Sequence, residues 1–571
     1  MIPIEAQRSS LSEQKSRRGR QPRWKWLLML AVGLMATTGL GWTLRQRPEI
    51  GSRAGRFSFL SDASFRDSLA KLDAANASRI EQAGLQAADT AQWLTVCRRV
   101  SLALVGNGMS LEEIRALEQL PQERRVGWWV EHLLADRRWS EYFSQRIASA
   151  CVGTHKGPFL LFRRRKFNSW LGDQLDKDVS YDEIVRQMIA SEGLWTDTPA
   201  VNFVTATMDE KQNGRADPVR LAGRTSRAFL AMRIDCLQCH DDVLQKTNFG
   251  TSQAPREGTQ HDFHQLAAFY AGAASAEPVF RGIVEDRHAY EVKYLNADEE
   301  ETVAPAVPFF EELLPAEGKP RKRLASWVTH PENKAFARAT VNRTWALMFG
   351  RALVEPVDDI PLVGDLPPEL DILAADFVKH RFNMRRLIAL IAHSAAFQRD
   401  SRADFEVTPQ HEQLWACFPL VQLRPDQMAS SISQACRLTA IDAESSIMVQ
   451  LKAFGDQQEF VKRFGDRGED EFDSDPVTIT QRLLVMNGNM IAERTKVDLV
   501  NNAATRIAAF VERDAEAIEL VFLSVLNRYP TDSERAEFSA HLTGKKNNAR
   551  AQAIGDMTWA MLNTTEFSWN H

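Results

Sequence analysis

The chain has little cysteine, no excess charge of one sign and almost no long apolar run, and each shortage narrows what it can be. Six cysteines in 571 residues are too few to build a body of this size on disulfides. A net charge of −5 supplies no basic field for nucleic acid. No GxSxG, HExxH, P-loop or GxGxxG pattern stands in a matching context, which weighs against the common hydrolase and nucleotide-dependent classes. No repeat of fixed period is present, which argues against a solenoid or propeller. The balance of apolar and charged residues, 44% and 25%, is that of a globular protein.

The one long apolar run lies near the start. Trp26 to Leu44 is uncharged and long enough to cross a bilayer as a helix, with Trp24, Trp26 and Trp42 at interface depth. Before it, residues 1–25 carry seven Lys or Arg against two Glu. By the positive-inside rule this tail stays in the cytoplasm and everything after Arg45 is translocated, so the expected location is the cytoplasmic membrane, single pass, with the body on the periplasmic side. A cleaved signal peptide is the alternative, and it exports the body equally. Residues 45–61 then form a small polar linker.

Beyond the linker the periodicity is mainly that of α-helices. Ser110 and Glu113 form a capping box ahead of Ile114, Leu117 and Leu120, which share one face. Val126, Trp129, Val130, Leu133 and Leu134 repeat the pattern after Pro121. Ser180 with Glu183 and Thr531 with Glu534 mark two more helix starts, and Pro367-Pro368 opens a helix whose stripe is Leu370, Leu373, Ala374 and Phe377. Residues 245–260 read as a loop, with a helix over 261–271 after it. Between Pro278 and Pro308 the period changes to two, with Tyr290, Val292 and Tyr294 alternating with polar neighbours. The expected fold is therefore a mainly α, helical two-domain body with a short β-rich or extended crossover, after one N-terminal transmembrane helix. The divisions are a basic tail (1–25), an anchor (26–44), a linker (45–61), a first helical domain (62–277), the crossover (278–322) and a C-terminal helical domain (323–571).

The stretch Cys236-Leu237-Gln238-Cys239-His240 carries the chemistry. CxxCH is the spacing of covalent haem attachment, in which two thiols form thioethers and the adjacent imidazole ligates the iron. Three readings compete. In the first, haem c is attached at Cys236 and Cys239 with His240 axial, and His264, His261 or Met208 is a sixth ligand or the position stays open. In the second, Cys236, Cys239 and one or two of His240, His261 and His264 hold zinc tetrahedrally, since CxxC…HxxH has zinc-like spacing. In the third, the cysteines form a disulfide and the histidines lie on the surface. Cys417 with Cys436 and Cys97 with Cys151 are further candidate pairs, or else buried free thiols.

A second cluster is Asn342-Arg343-Thr344-Trp345 followed by Phe349-Gly350-Arg351 and Asp358-Asp359. Its plainest account is an Arg–Asp pair fixing the loop beyond a helix. The run Arg163 to Lys166 reads as a solvated helix face, and His132 and His393 as core or rim histidines.

Several segments together resemble one family. Asp235-Cys236-Leu237-Gln238-Cys239-His240-Asp241, followed by Asp262-Phe263-His264-Gln265-Leu266-Ala267-Ala268-Phe269-Tyr270, is similar to the "CxQCHDH … DFHxLAAFF" signature of the planctomycete cytochrome-like family of exported proteins. Cys97 to Leu102 and Tyr181 to Arg186 resemble further segments of that domain. Leu324 to Thr329, Phe336 to Trp345, Phe349 to Asp359, Leu484 to Gly488 and Trp559 to Phe567 resemble the partner domain usually found C-terminal to it. The resemblance implies export, a mainly helical two-domain body and a role for the CxxCH region; neither domain has an assigned reaction. Asp242 stands where the family has histidine, and Val243 to Thr247 replace its "PFDxW".

The leading expectation is a membrane-anchored extracytoplasmic protein carrying covalent haem for electron transfer or redox sensing, with a redox partner protein and no nucleic acid. The alternative is a non-redox binding or hydrolytic protein with a structural Cys/His zinc site.

Overall fold

The computed structural model describes residues 58–571 apart from 154–162, 209–213, 244–246, 276–281, 295–297, 443–444, 466–471, 473–477 and 500. The basic tail, the expected anchor Trp26–Leu44 and most of the linker lie outside the described residues. Among the described residues no helix is long and apolar enough to cross a membrane. Helices dominate and the strands are few and short, so the fold is mainly α.

Helix starts follow local chemistry where a side chain can satisfy the free backbone N–H groups of the first turn. Ser110 and Glu113 cap the Leu111–Glu118 helix reciprocally, and Thr531 and Glu534 do the same for Asp532–Leu542. The Gln260–Ala268 helix ends earlier than its sequence suggests and is capped by a Thr259–Asp262 box. Ser180 makes no cap to the Tyr181–Ala190 helix; Glu183 is drawn instead to Arg186 (3.2 Å) and Gln187 (2.9 Å). That helix forms because its apolar stripe, Ile184, Val185, Met188 and Ile189, is fully buried. Pro368 opens the Pro368–Lys379 helix, with Leu370, Leu373, Ala374 and Phe377 inward. In the Gln122–Ala135 helix, buried Trp129 gives its indole N–H to Cys97 O (3.1 Å) and Ser101 Oγ (3.0 Å), the partner a buried tryptophan needs.

The period-two stretch is a ribbon: Tyr290–Val292 pairs antiparallel with Glu301–Val303. Gly282–Glu285 pairs with Ala273–Ser275 on one side and with the distant Gly193–Leu194 on the other.

Buried arginines link segments far apart in sequence. Arg99, fully buried, donates to His571 O (2.7 Å), Phe397 O (3.0 Å) and Arg399 O (2.6 Å). Arg98 donates to the backbone of Phe567 (3.2 Å) and Trp569 (3.1 Å). Arg79 of the Ala63–Gln82 helix forks onto both oxygens of the fully buried Glu369 (2.9 and 2.8 Å), where Asn76 adds a third bond (3.1 Å).

One sequence expectation is corrected, and another, the Arg–Asp pair that fixes the loop at Asp358, is met by an arginine from elsewhere in the chain. Arg163 is not part of a solvated face: it is buried in register with Phe167 and Leu171, and its guanidinium donates to Thr205 O (3.4 Å). Asp358 is gripped by Arg233, 2.7 Å away in the first half of the chain. Asn342 meanwhile ties the loop by donating to Val354 O (2.8 Å) and accepting from Val354 N (3.0 Å). An arginine distant in sequence, immediately before the CxxCH segment, thus fixes that loop.

Candidate cofactor site

The Pro218–Leu230 helix ends on Ala231 in the left-handed region, and the chain then enters a short 3-10 turn, Asp235–Gln238. Leu237 is fully buried and plugs the turn into the body against Gly258, where a Cβ would come within 2.8 Å of the Leu237 side chain. With Leu237 inward, Cys236, Gln238, Cys239 and His240 are exposed. Both thiols are free.

The turn is tied on each flank. Asp235 accepts from Arg227 (2.6 Å) and lies so close to Gly223 that a Cβ there would sit 2.5 Å from its carboxylate. The Gln238 carbonyl receives two donors from the Gln260–Ala268 helix, Gln260 Nε2 (2.9 Å) and His264 Nε2 (3.2 Å). Asp241 accepts from Gln260 N (2.7 Å) at the start of that helix, where N–H groups are free and negative charge is favoured.

His240 Nδ1 lies 2.7 Å from Asp241 O. A carbonyl only accepts, so Nδ1 carries a proton, and of the two neutral tautomers this selects the one with its lone pair at Nε2.

His264 is buried and meets the motif from behind. Its Nε2 gives a proton to Gln238 O, so Nδ1 accepts from Tyr290 OH (2.9 Å). Burial lowers the His264 pKa, the Gln238 bond opposes that, and His261 lowers it further. Burial and the Asp217 charge push Tyr290 up to about 12, keeping it a donor. His261 is exposed and pairs with Tyr294 OH (2.9 Å); Tyr294 also packs edge-on to His264, with ring centroids 5.5 Å apart. Met208 is buried. Asp242, in the position of the family's histidine, is buried, and its carboxylate accepts from Thr247 N. It closes the loop that returns to the Gln260–Ala268 helix. Arg256 braces the same loop through both oxygens of Asp262 (2.9 and 3.0 Å).

The donor set can be weighed against each group it is expected to hold. Zinc requires its ligands to converge on one point at about 2.0–2.3 Å, and among the described residues no three His, Cys, Asp or Glu side chains do so. Haem attachment needs no such convergence: the thiols bond the porphyrin edge and the imidazole meets its centre. Two exposed free thiols beside an imidazole with Nε2 as acceptor fit that requirement.

Gln238, Gln260, Tyr290 and Arg227 were not candidates from sequence. Their contributions run through backbone carbonyls and long-range pairing; the alternation at Tyr290 and Tyr294 was the one legible hint. The remaining cysteines, Cys97, Cys151, Cys417 and Cys436, are buried free thiols. Burial pushes Cys151 and Cys436 up to about 12 and Cys417 up to about 11. His393 donates from Nδ1 to Ala389 O (2.8 Å), and His132 stacks on Trp128 (4.7 Å between centroids).

Residues 71–274 match the family model PSCyt2, a protein of unknown function (DUF1549), and residues 320–459 match PSD1, a protein of unknown function (DUF1553). No curated protein and no solved structure matches the chain. The first match contains the Cys236–His240 turn and the whole Gln260–Ala268 helix behind it; the second contains the Asn342 and Asp358 loop that Arg233 grips. With both in the order that the motifs predicted, the chain belongs to the family in which a planctomycete cytochrome-like domain is followed by its C-terminal partner domain.

Proposed function

We propose that the protein is a membrane-anchored, extracytoplasmic carrier of covalent haem c, which Cys236 and Cys239 would attach and whose iron His240 Nε2 would bind, and that it serves electron transfer or redox sensing with a partner protein. The observation that carries this reading is the pair of exposed free thiols beside an imidazole whose Nδ1 is tied to Asp241 O. A bound haem would supply one-electron chemistry.

The chain's own residues do the rest. Leu237 locks the turn to the body, and Gln260 and His264 hold the carbonyl of Gln238, which stands between the two cysteines in sequence. His264 acts as a positioning residue, since its Nε2 is committed to Gln238 O. Asp241 fixes the His240 tautomer through its carbonyl and braces the turn through its carboxylate.

The test is to express the full chain in a host with a c-type maturation system, then record its visible spectrum and intact mass. A Soret band with a mass gain of one haem is expected, and Cys236→Ser with Cys239→Ser should abolish both. Matured protein with neither the band nor the mass gain would overturn the reading.

A further inference from the structure

A cleft of about 550 Å³ lies well apart in sequence from the cysteine motif, where the Pro368–Lys379 helix turns into the Met384–His393 helix. It is an open depression on the surface, wide enough for a small ligand. The inner wall is charge-balanced. Arg385 pairs with Asp178 (3.0 Å), and Arg386 pairs with Asp62 (2.8 Å) and Asp376 (2.9 Å). The rim is not: Lys379 and Arg381 line the cleft, are exposed, and have no ion-pair partner among the described residues. The cleft therefore carries a local positive excess on a protein whose net charge is −5.

Asp178 and Arg381 have positive φ, 58° and 54°, each just past a helix end that it closes, with Val179 N bonded to Gln174 O and Phe382 N to Phe377 O. This closing turn sets Arg381 at the rim and delivers Asn383, which caps Arg386 N (2.8 Å), to the start of the next helix. The positive end of that helix adds to the field. Phe59 offers an apolar side wall.

We infer that this cleft binds a small organic phosphate or sulfate, its anionic group held by Lys379 and Arg381 and its carbon skeleton against Phe59. The inference stands independently of any cofactor at Cys236–His240.

Binding is read on the detergent-solubilised full chain by calorimetry with glucose 6-phosphate and glucose 6-sulfate, against glucose and chloride at matched ionic strength. Saturable binding of either ester but not of glucose is expected, with phosphate against sulfate sorting which ester is preferred. Lys379→Gln with Arg381→Asn should weaken it at least about tenfold, as expected for losing charge-assisted contacts. Asparagine tolerates the left-handed backbone, so the variant keeps the turn, and an unchanged thermal midpoint without ligand verifies folding. Lys379→Arg should retain binding. Absence of ester binding, or binding that survives the double variant, would overturn the inference.

Discussion

His264→Phe isolates the contribution of the residue behind the motif. An aromatic ring still packs on Tyr290 and Tyr294, while the bonds to Gln238 O (3.2 Å) and Tyr290 OH (2.9 Å) are lost. Each such bond contributes about 0.5–1.5 kcal/mol, so the expected loss is about 1–3 kcal/mol. The lower half of that range is favoured, because Gln238 O keeps Gln260 (2.9 Å) and Tyr290 is only partly buried. Urea titration of the cofactor-free protein measures it as a shift in midpoint. The loss should depend on pH. Folded His264 titrates below its usual 6.5, with burial as the main cause, so on acidification the unfolded state takes up the proton first. Its contribution is then complete above 6.5 and falls as pH drops below that value. The gap between wild type and variant should therefore be widest near neutrality and narrow toward pH 5. Labelling of Cys236 and Cys239 should also quicken in the variant, since the carbonyl it releases lies between them. A variant as stable as wild type, or a gap that widens on acidification, would refute the assignment of His264 as a neutral donor to Gln238.

Three further outcomes follow from the same geometry. In cofactor-free native protein an aromatic disulfide reagent should titrate two of the six thiols, Cys236 and Cys239, and all six in denaturant; more than two in the native state would mean the core thiols are accessible. Gly223→Ala places a methyl 2.5 Å from the carboxylate end of the half-exposed Asp235 side chain, which should swing aside and release Arg227 at a cost of no more than about 1 kcal/mol; a crystal structure with Asp235 unmoved would contradict this. Arg79→Ala strands the fully buried Glu369 and should destabilise by about 3–5 kcal/mol, read by chemical denaturation, whereas Arg79→Lys should recover part of the loss.

What could be read from sequence was what is local. The Ser110–Glu113 and Thr531–Glu534 boxes and the Leu370 to Phe377 stripe need only neighbours three or four residues away, and the structure has them. The alternation at Tyr290 and Val292 foretold a ribbon because side chains in a strand repeat every two residues. Ser180 shows the limit of that approach: its motif is intact, yet Glu183 bonds Arg186 and Gln187. Arg163 shows another limit, for a run of four basic residues looks solvated until helix phase turns its first member inward with Phe167. Long-range partners were not legible at all. Nothing local links Arg233 to Asp358 or Arg99 to His571. At the site, the sequence pointed to the cysteines and histidines by spacing, but not to how His264 reaches the motif. Its partner is a backbone carbonyl, which every residue possesses and no motif records.

The central claim is tested most directly on the peptide that carries the motif. Trypsin cleaves after Arg233 and Lys246, releasing Ile234 to Lys246 with both cysteines and His240. In protein purified from membranes of a host competent in c-type maturation, mass spectrometry should find this peptide heavier by one haem, with fragmentation placing the bonds at Cys236 and Cys239. The same peptide recovered with both thiols free, or joined only to each other, would contradict the account.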